Sequence, residues 1–481
     1  MIDNDKIPLS WAEANLSEIV DYKKGKKPKK MEKAPFKNSL VYLDIRAIEK
    51  GTGEIFVDAE SSNITNETEL VIVWDGARAG WVGKSRNGAL GSTLMALKPK
   101  IDKDYLFRFL QTQFQYLQTN HRGTGIPHVD PEIFWNIQIP IAPLPEQHRI
   151  VAKLDALFEK IESNKQRLEK IPKILKRFRQ SVLAAAVSGK LTEEWRARNK
   201  NVVTYQTENE IENYDWRSLD FPLTWRWDYI KNVGEHILGK MLDAAKNKGE
   251  PTLYLRNISV RWFDFDLETL TGIKATQEDK EKFDLRDGDL FVCEGGEPGR
   301  AAVWNKGKNN YIFQKAIHRI RLNKFVNPYW VLYNLKVDAD LGNLETLFTG
   351  TGIKHLTLKS LSKYPVAIPP IEEQKEIVRR VEQLFAFADR IESRYTKAKA
   401  MLDKLPQSIL AKAFRGELVA QNPEDEPASV LLDKIKEEKE KLLGSLKESK
   451  RKKAKEYSLE EQPLKMVAEK KTKYKKAKAR K

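Results

Sequence analysis

The sequence is poor in the residues that most chemistry needs. Its 481 residues include one cysteine, Cys293, so no disulfide forms within the chain and no zinc site is built on several thiolates. That scarcity implies a reducing, cytoplasmic compartment. No apolar run approaches 18 residues, and Met1-Ile-Asp-Asn-Asp-Lys6 has neither a basic start nor an apolar core. No transmembrane helix and no signal peptide are therefore expected. The six histidines (121, 128, 148, 236, 318, 355) are scattered without a His-x-x-x-His pair, so no metal site is expected. There is no Asn/Asp-Pro-Pro-Tyr/Phe segment of the amino-methyltransferase kind, no Gly-x-Gly-x-x-Gly opening a helix, and no Pro-Asp nuclease core. Gly234-Glu-His-Ile-Leu-Gly-Lys240 has phosphate-loop spacing, but Met241 stands where a magnesium-binding hydroxyl is required. Glu294-Gly-Gly-Glu-Pro-Gly299 reads as a tight turn between strands. No catalytic residue is expected.

What the chain does have is positive charge, unevenly placed. The formal net charge is +17, and Ser445–Lys481 alone carries 15 Lys/Arg against 5 Asp/Glu. The first 444 residues thus hold only +7. A tail of this kind is either a solvated extension or a non-specific polyanion contact.

It also has an internal repeat at a spacing of about 227 residues. Gly123-Thr-Gly-Ile-Pro-His128 matches Gly350-Thr-Gly-Ile-Lys-His355, and Pro143-Leu-Pro-Glu-Gln147 matches Pro370-Ile-Glu-Glu-Gln374. Gln180-Ser-Val-Leu-Ala184 matches Gln407-Ser-Ile-Leu-Ala411, and Gly189 matches Gly416. Fainter echoes upstream pair Pro8-Leu-Ser-Trp11 with Pro222-Leu-Thr-Trp225 and Gly76/Gly80 with Gly295/Gly299. The expected organisation is a first mixed domain over 1–141 and a helical spacer over 142–200. A second mixed domain over 213–368 and a second spacer over 369–419 follow. A C-terminal helix and partly disordered Lys-rich tail take 420–481. Strands are predicted at Leu70–Trp74, Ile137–Pro140, Asp289–Cys293 and Ile317–Leu322, and helices near Asp104–Leu117 and Pro328–Leu335. The fold class is α+β.

The spacers carry apolar residues in alternating steps of four and three. They are Ile150, Leu154, Leu157, Ile161, Asn164, Leu168 and Ile171, then Ile377, Val381, Leu384, Ala388, Ile391, Tyr395, Ala398, Leu402 and Leu405. This is a coiled-coil seam, with Asn164 placed to fix register. The simplest partner for each seam is the other copy, antiparallel. Pro172 and Pro406 are expected to break or kink the helices, leaving short helices at Ser181–Ala186 and Ser408–Ala413.

A chain with no catalytic signature and basic residues among polar ones reads as a binding protein. Candidate DNA contacts are Lys23, Lys24, Lys26, Lys27, Lys29, Lys30, Arg78, Lys84, Arg86 and Arg122 in the first mixed domain. In the second they are Lys240, Arg256, Arg261, Arg300, Lys315, Lys354 and Lys359. His128 and His355 are expected to make structural hydrogen bonds within their turns.

Two unlike mixed domains, each closed by a Gly-Thr-Gly-Ile turn and a helix opening Glu-Gln-x-x-Ile-Val, resemble the specificity (HsdS-type) subunit of type I restriction–modification systems. The resemblance covers about residues 1–445, including Glu426-Pro-Ala-Ser-Val-Leu-Leu-Asp433. It implies two target recognition domains, each reading one half of a gapped, asymmetric DNA site in a host-defence complex. It implies helices that set the gap and dock two methyltransferase subunits, with motor–nuclease subunits joining them. S-adenosylmethionine, ATP and Mg are implied in those partners, and no cofactor in this chain. The competing readings are a coiled-coil scaffold that binds proteins and a self-contained DNA-modifying enzyme.

Overall fold

Two short apolar runs organise the structure. Leu70–Val73 and Leu290–Cys293 are strands buried at every position, as a continuous apolar run requires when both faces of a sheet are covered. Each is an inner strand of a four-stranded antiparallel sheet. In the first the order is Val20–Lys24, Leu94–Pro99, Leu70–Val73, Val82–Lys84. In the second it is Gly234–Leu238, Ile317–Leu322, Leu290–Cys293, Ala301–Val303. The sheets share one strand order.

The computed structural model describes residues 7–445, apart from Thr124, 208–210, 212–220, Ala244 and Lys246. The Lys-rich tail lies outside the described residues. The chain forms two compact units, one from 1–166 and 399–481, the other from 167–398. In each unit the first described strand pairs with the strand that leads into a long helix. These pairs are Ala12–Asn15 with Gln138–Ile141, and Arg226–Tyr229 with Pro365–Ile368. A second sheet in each contains a parallel pair, Ser39–Leu43 with Gly88–Leu90 and Glu250–Leu255 with Ile312–Phe313. This sheet has five strands in the first unit and three in the second. Cys293 is buried and its thiol is pushed up to about 11 by burial, as suits an inert core residue.

The repeated Glu-Gln pair roots the long helices. Glu146 is buried at the start of helix Leu144–Leu168 and accepts hydrogen bonds from Trp11 Nε1 at 3.1 Å and Gln421 Nε2 at 2.7 Å. Gln147 donates to the Ala142 carbonyl at 2.7 Å and accepts from the Asp102 amide at 3.0 Å. Asp102 is the N-cap of helix Lys103–Thr119, so one side chain ties two helix starts together. The second unit repeats the device. Glu373 accepts from Trp225 Nε1 at 3.0 Å and Thr192 Oγ1 at 2.7 Å, and pairs with Arg196. Gln374 donates to the Pro369 carbonyl at 2.8 Å and accepts at 2.7 Å from the amide of Asn327, the N-cap of helix Pro328–Leu341. Gly189 and Gly416 both adopt positive φ, and a Cβ on either would strike a proline, Pro222 or Pro8.

The long helices pack antiparallel within each unit. In the first, Ile150, Leu154 and Phe158 share a core with Leu410, Ala413 and Phe414, while Lys165 pairs with Asp403 at 3.3 Å. In the second, Val182 and Ala186 pack with Ile377 and Val381, and Arg179 reaches Asp389 and Glu392, each at 2.7 Å. Ile161 is buried, whereas Leu157, Leu168, Leu384, Ile391 and Leu402 are half-buried.

Several expectations need correction. Asn164 is exposed and fixes no register; half-buried Lys165 takes the inward position with its charge neutralised by Asp403. Ala398 and Leu405 are likewise exposed. Pro172 lies in the first turn of helix Ile171–Val187, where its missing N–H costs nothing, and so begins that helix. Pro406 lies inside the 43-residue helix Ile371–Ala413, which runs on through it. The segments Ser181–Ala186 and Ser408–Ala413 are therefore the ends of longer helices. A helix over 428–445 follows; Leu432 and Ile435 enter the first core, and Lys439 Nζ donates to the Ser17 carbonyl at 3.1 Å.

Candidate nucleic-acid interface

Each unit gathers polar loops at one end of its four-stranded sheet. In the first, Lys24 ends a strand and pairs with Asp75 at 3.0 Å, and Asp75 accepts from His128 Nδ1 at 2.7 Å. Arg122 lies beside His128 through a two-residue bridge, and Gly123 closes the turn with positive φ. The expected bond of His128 within its own turn is thus made by the backbone, while its ring reaches across to Asp75. In the second unit the loop 294–299 is the tight turn predicted, with Gly296 and Gly299 at positive φ. Asn257 joins three of its neighbours. Its side chain donates to the Gly295 carbonyl and accepts from Gln314, both at 3.3 Å, and its carbonyl accepts from Arg300 at 2.8 Å. The phosphate-loop look-alike at 234–240 opens as strand Gly234–Leu238, which excludes a cradle of free amides.

The candidate cations separate into two sets. Most are neutralised at home. Lys23 pairs with Glu69 at 2.8 Å, Lys30 with Glu32 at 2.9 Å and Lys84 with Asp104 at 2.8 Å. Arg78 pairs with Glu49 at 2.7 Å and stacks over Trp81; its hydrogen bond holds the Glu49 carboxyl below its usual range. Arg86 is the exception in this set: it is exposed and donates to the Gly51 carbonyl at 2.6 Å, a hydrogen bond that leaves its charge unpaired among the described residues. Arg122 pairs with Asp130 at 2.6 Å, which raises its guanidinium pKa above the ordinary value. In the second unit Lys240 pairs with Asp279 at 2.8 Å, Arg261 with Asp266 at 3.1 Å and Arg300 with Glu297 at 2.8 Å. Lys26, Lys27, Lys29, Lys315, Lys354 and Lys359 are exposed without an ion-pair partner among the described residues, and Arg256 is half-buried without one. These and Arg86 are the cations with uncommitted charge for phosphates.

Sequence reading missed the residues that connect these loops. Asp75, Asn257 and Gln314 sit in no motif; only their contacts single them out. Two further histidines, buried His318 and half-buried His236, pair with each other. His318 Nε2 donates to the Leu356 carbonyl at 2.7 Å, and its Nδ1 meets His236 Nε2 at 3.1 Å. Burial lowers His318 to about 3 and His236 to about 4. No group of three or more metal-ligating side chains occurs among the described residues, and no helix among them is long and apolar enough to cross a membrane.

The family described as the type I restriction modification DNA specificity domain matches residues 8–173 and again 224–399. The EcoKI specificity subunit of Escherichia coli K12 is 32% identical, over 90% of this chain and 96% of its own length. The StySPI specificity subunit of Salmonella potsdam is 33% identical, over 94% of this chain and 100% of its own. In fold the chain is similar to the solved HsdS subunit of Thermoanaerobacter tengcongensis, with a TM-score of 0.59 and 19% identity, over 86% of this chain and 99% of that one. With both repeats matched, each carrying the same sheet and helix root, the chain belongs to the type I restriction–modification specificity-subunit family.

Proposed function

We propose that this chain is the DNA-recognition subunit of a type I restriction–modification complex and is itself non-catalytic. Each unit reads one half of a gapped, asymmetric site in double-stranded DNA. The observation that carries this reading is one fold present twice with unlike side chains at its loop ends. A single fold used twice with different surfaces suits two different half-sites. The exposed, unpaired lysines supply phosphate contacts, and the polar loop residues supply base contacts.

The long helices set the gap and offer docking surfaces to two methyltransferase subunits, which bring S-adenosylmethionine. Motor–nuclease subunits bring ATP and Mg. A scaffold that binds only proteins makes a different prediction about the genome, so one experiment separates the two. Methylome sequencing of cells with and without this gene is expected to show loss of one gapped, two-part methyladenine motif. An unchanged methylome in cells whose partner subunits are shown to be active overturns the reading.

A further inference from the structure

The shared topology gives a position-by-position equivalence between the units. Leu97 opposite Tyr22 corresponds to Ile320 opposite His236, so position 24 matches 238. Leu43 and Leu255 end the parallel pairs, and their carbonyls accept from the amides of Gly91 and Gln314. Position 91 therefore matches 314, and 45 matches 257. Trp74 and Glu294 each donate to the strand at 93 or 316 and accept from 129 or 356. Position 75 thus matches 295, and His128 matches His355.

Around that shared histidine the other side chains are unlike. The first unit has Lys24 and Asp75, where the second has Leu238 and Gly295. The second has Asn257 and Gln314, where the first has Ile45 and Gly91. A carboxylate only accepts, so His128 Nδ1–H donates to Asp75, and Nε2 of the 47% exposed ring is left facing away from that bond. In the second unit the His355 ring packs against Gly295 itself, where a Cβ would stand 3.3 Å from its Nδ1. There the Asn257 carboxamide fixes the orientation of Gln314 instead.

We propose that positions 24/238, 45/257, 75/295 and 91/314 are the specificity-determining residues of the two units, and that the histidine between them meets what both half-sites share. This rests on the DNA-recognition reading above. A carboxylate accepts from cytosine N4, a carboxamide pairs with adenine N6 and N7, and glycine or isoleucine offers no polar group to a base edge. The two units therefore differ in chemistry where they coincide in backbone.

The test uses the full chain assembled with its methyltransferase partner, and duplexes selected by the complex from a randomised library. Two paired exchanges are made, Lys24→Leu with Asp75→Gly, and Asn257→Ile with Gln314→Gly. Each installs residues that the same fold carries in the other unit. Each is expected to change discrimination in one half of the selected site by roughly 5- to 150-fold per base pair, with the other half and the gap unchanged. Where an exchange lowers the melting temperature, Asp75→Asn and Gln314→Glu, which keep side-chain size, carry the same expectation. If the wild-type complex selects a two-part site and every variant selects the same one, the proposal is overturned and the DNA-recognition reading stands. One exchange altering both halves overturns it equally. A wild-type complex that selects no sequence overturns the DNA-recognition reading itself.

Discussion

The two units anchor their helices with the same carboxylate but give it different company. Glu146 faces an indole and a carboxamide, both neutral, and burial pushes its carboxyl above the usual range. Glu373 faces an indole, a hydroxyl and the guanidinium of Arg196. The Glu-Gln pair and its tryptophan are common to both, while the other donors come from whichever segment follows the Gly189 or Gly416 turn. A repeat therefore preserves the parts that fix geometry and lets the surrounding electrostatics drift. The same division holds at the loop ends, where a shared histidine sits among unshared neighbours.

That contrast can be broken or sharpened by measurement. The largest effect is on the target itself. One heptad inserted near Lys165 and another near Asp403 lengthens the facing helices by about 10 Å, or roughly three base pairs. The methylated motif is expected to keep both halves and gain about that many bases in its gap. A motif whose gap stays fixed removes the helices from the role of spacer.

Next come the roots. Glu373→Ala removes the buried carboxylate that half-buried Arg196, Trp225 and Thr192 share, and is expected to destabilise the second unit by about 2–4 kcal/mol. Glu146→Ala leaves only neutral donors unpaired and is expected to cost the first unit about 1–3 kcal/mol. Hydrogen exchange resolved by unit checks both, and equal losses would mean that Arg196 adds nothing to its root.

Acid should separate the units further. His236 and His318 have Tyr22 and Met95 at the equivalent positions, so only the second unit buries a histidine pair. The unfolded chain takes up protons near the ordinary histidine value of 6.5, which the folded pair, at about 4 and about 3, declines. Stability from this pair is complete above 6.5 and falls with pH towards 4, by an amount on the order of a few kcal/mol. Exchange protection at pH 5 should drop in the second unit before the first, and His236→Tyr with His318→Met, the residues of the first unit, should abolish the difference.

The smallest effect concerns phosphates. Replacing Lys354 or Lys359 with alanine should lower the slope of log affinity against log salt by about 0.9 each. Arg78→Ala, whose charge Glu49 already neutralises, should leave that slope nearly unchanged. A larger loss for Arg78 would show that its ion pair opens on DNA.

Much of the fold was readable because it follows periodicity. The strand Ile317–Leu322 and the start of helix Pro328–Leu341 stand where the sequence predicts them. Pro406 was misread because a proline in a long helix is decided by packing along the whole helix, which a local rule omits. Asn164 was misread because a heptad fixes a stripe only to within one position, and the true inward residue is its neighbour Lys165. At the interface, cations were easy to find and hard to rank. Whether a lysine is committed depends on an acid often far away in sequence, as Lys24 and Asp75 illustrate. Asn257 and Gln314 are 57 residues apart and meet only when the fold is complete.

The first unit is assembled from both ends of the chain, with 167–398 intervening. On the ribosome its opening 166 residues emerge without Gln421, Phe414 or Leu432, all of which they pack against or bond. At about 5–20 residues per second, synthesis of the second unit imposes a wait on the order of 10–50 s before that closure is available. The second unit is complete first, although it is encoded second. A premature stop shortly after Ala413 therefore harms a domain made about 270 residues earlier, leaving Trp11 and Glu146 without the segment that seals them.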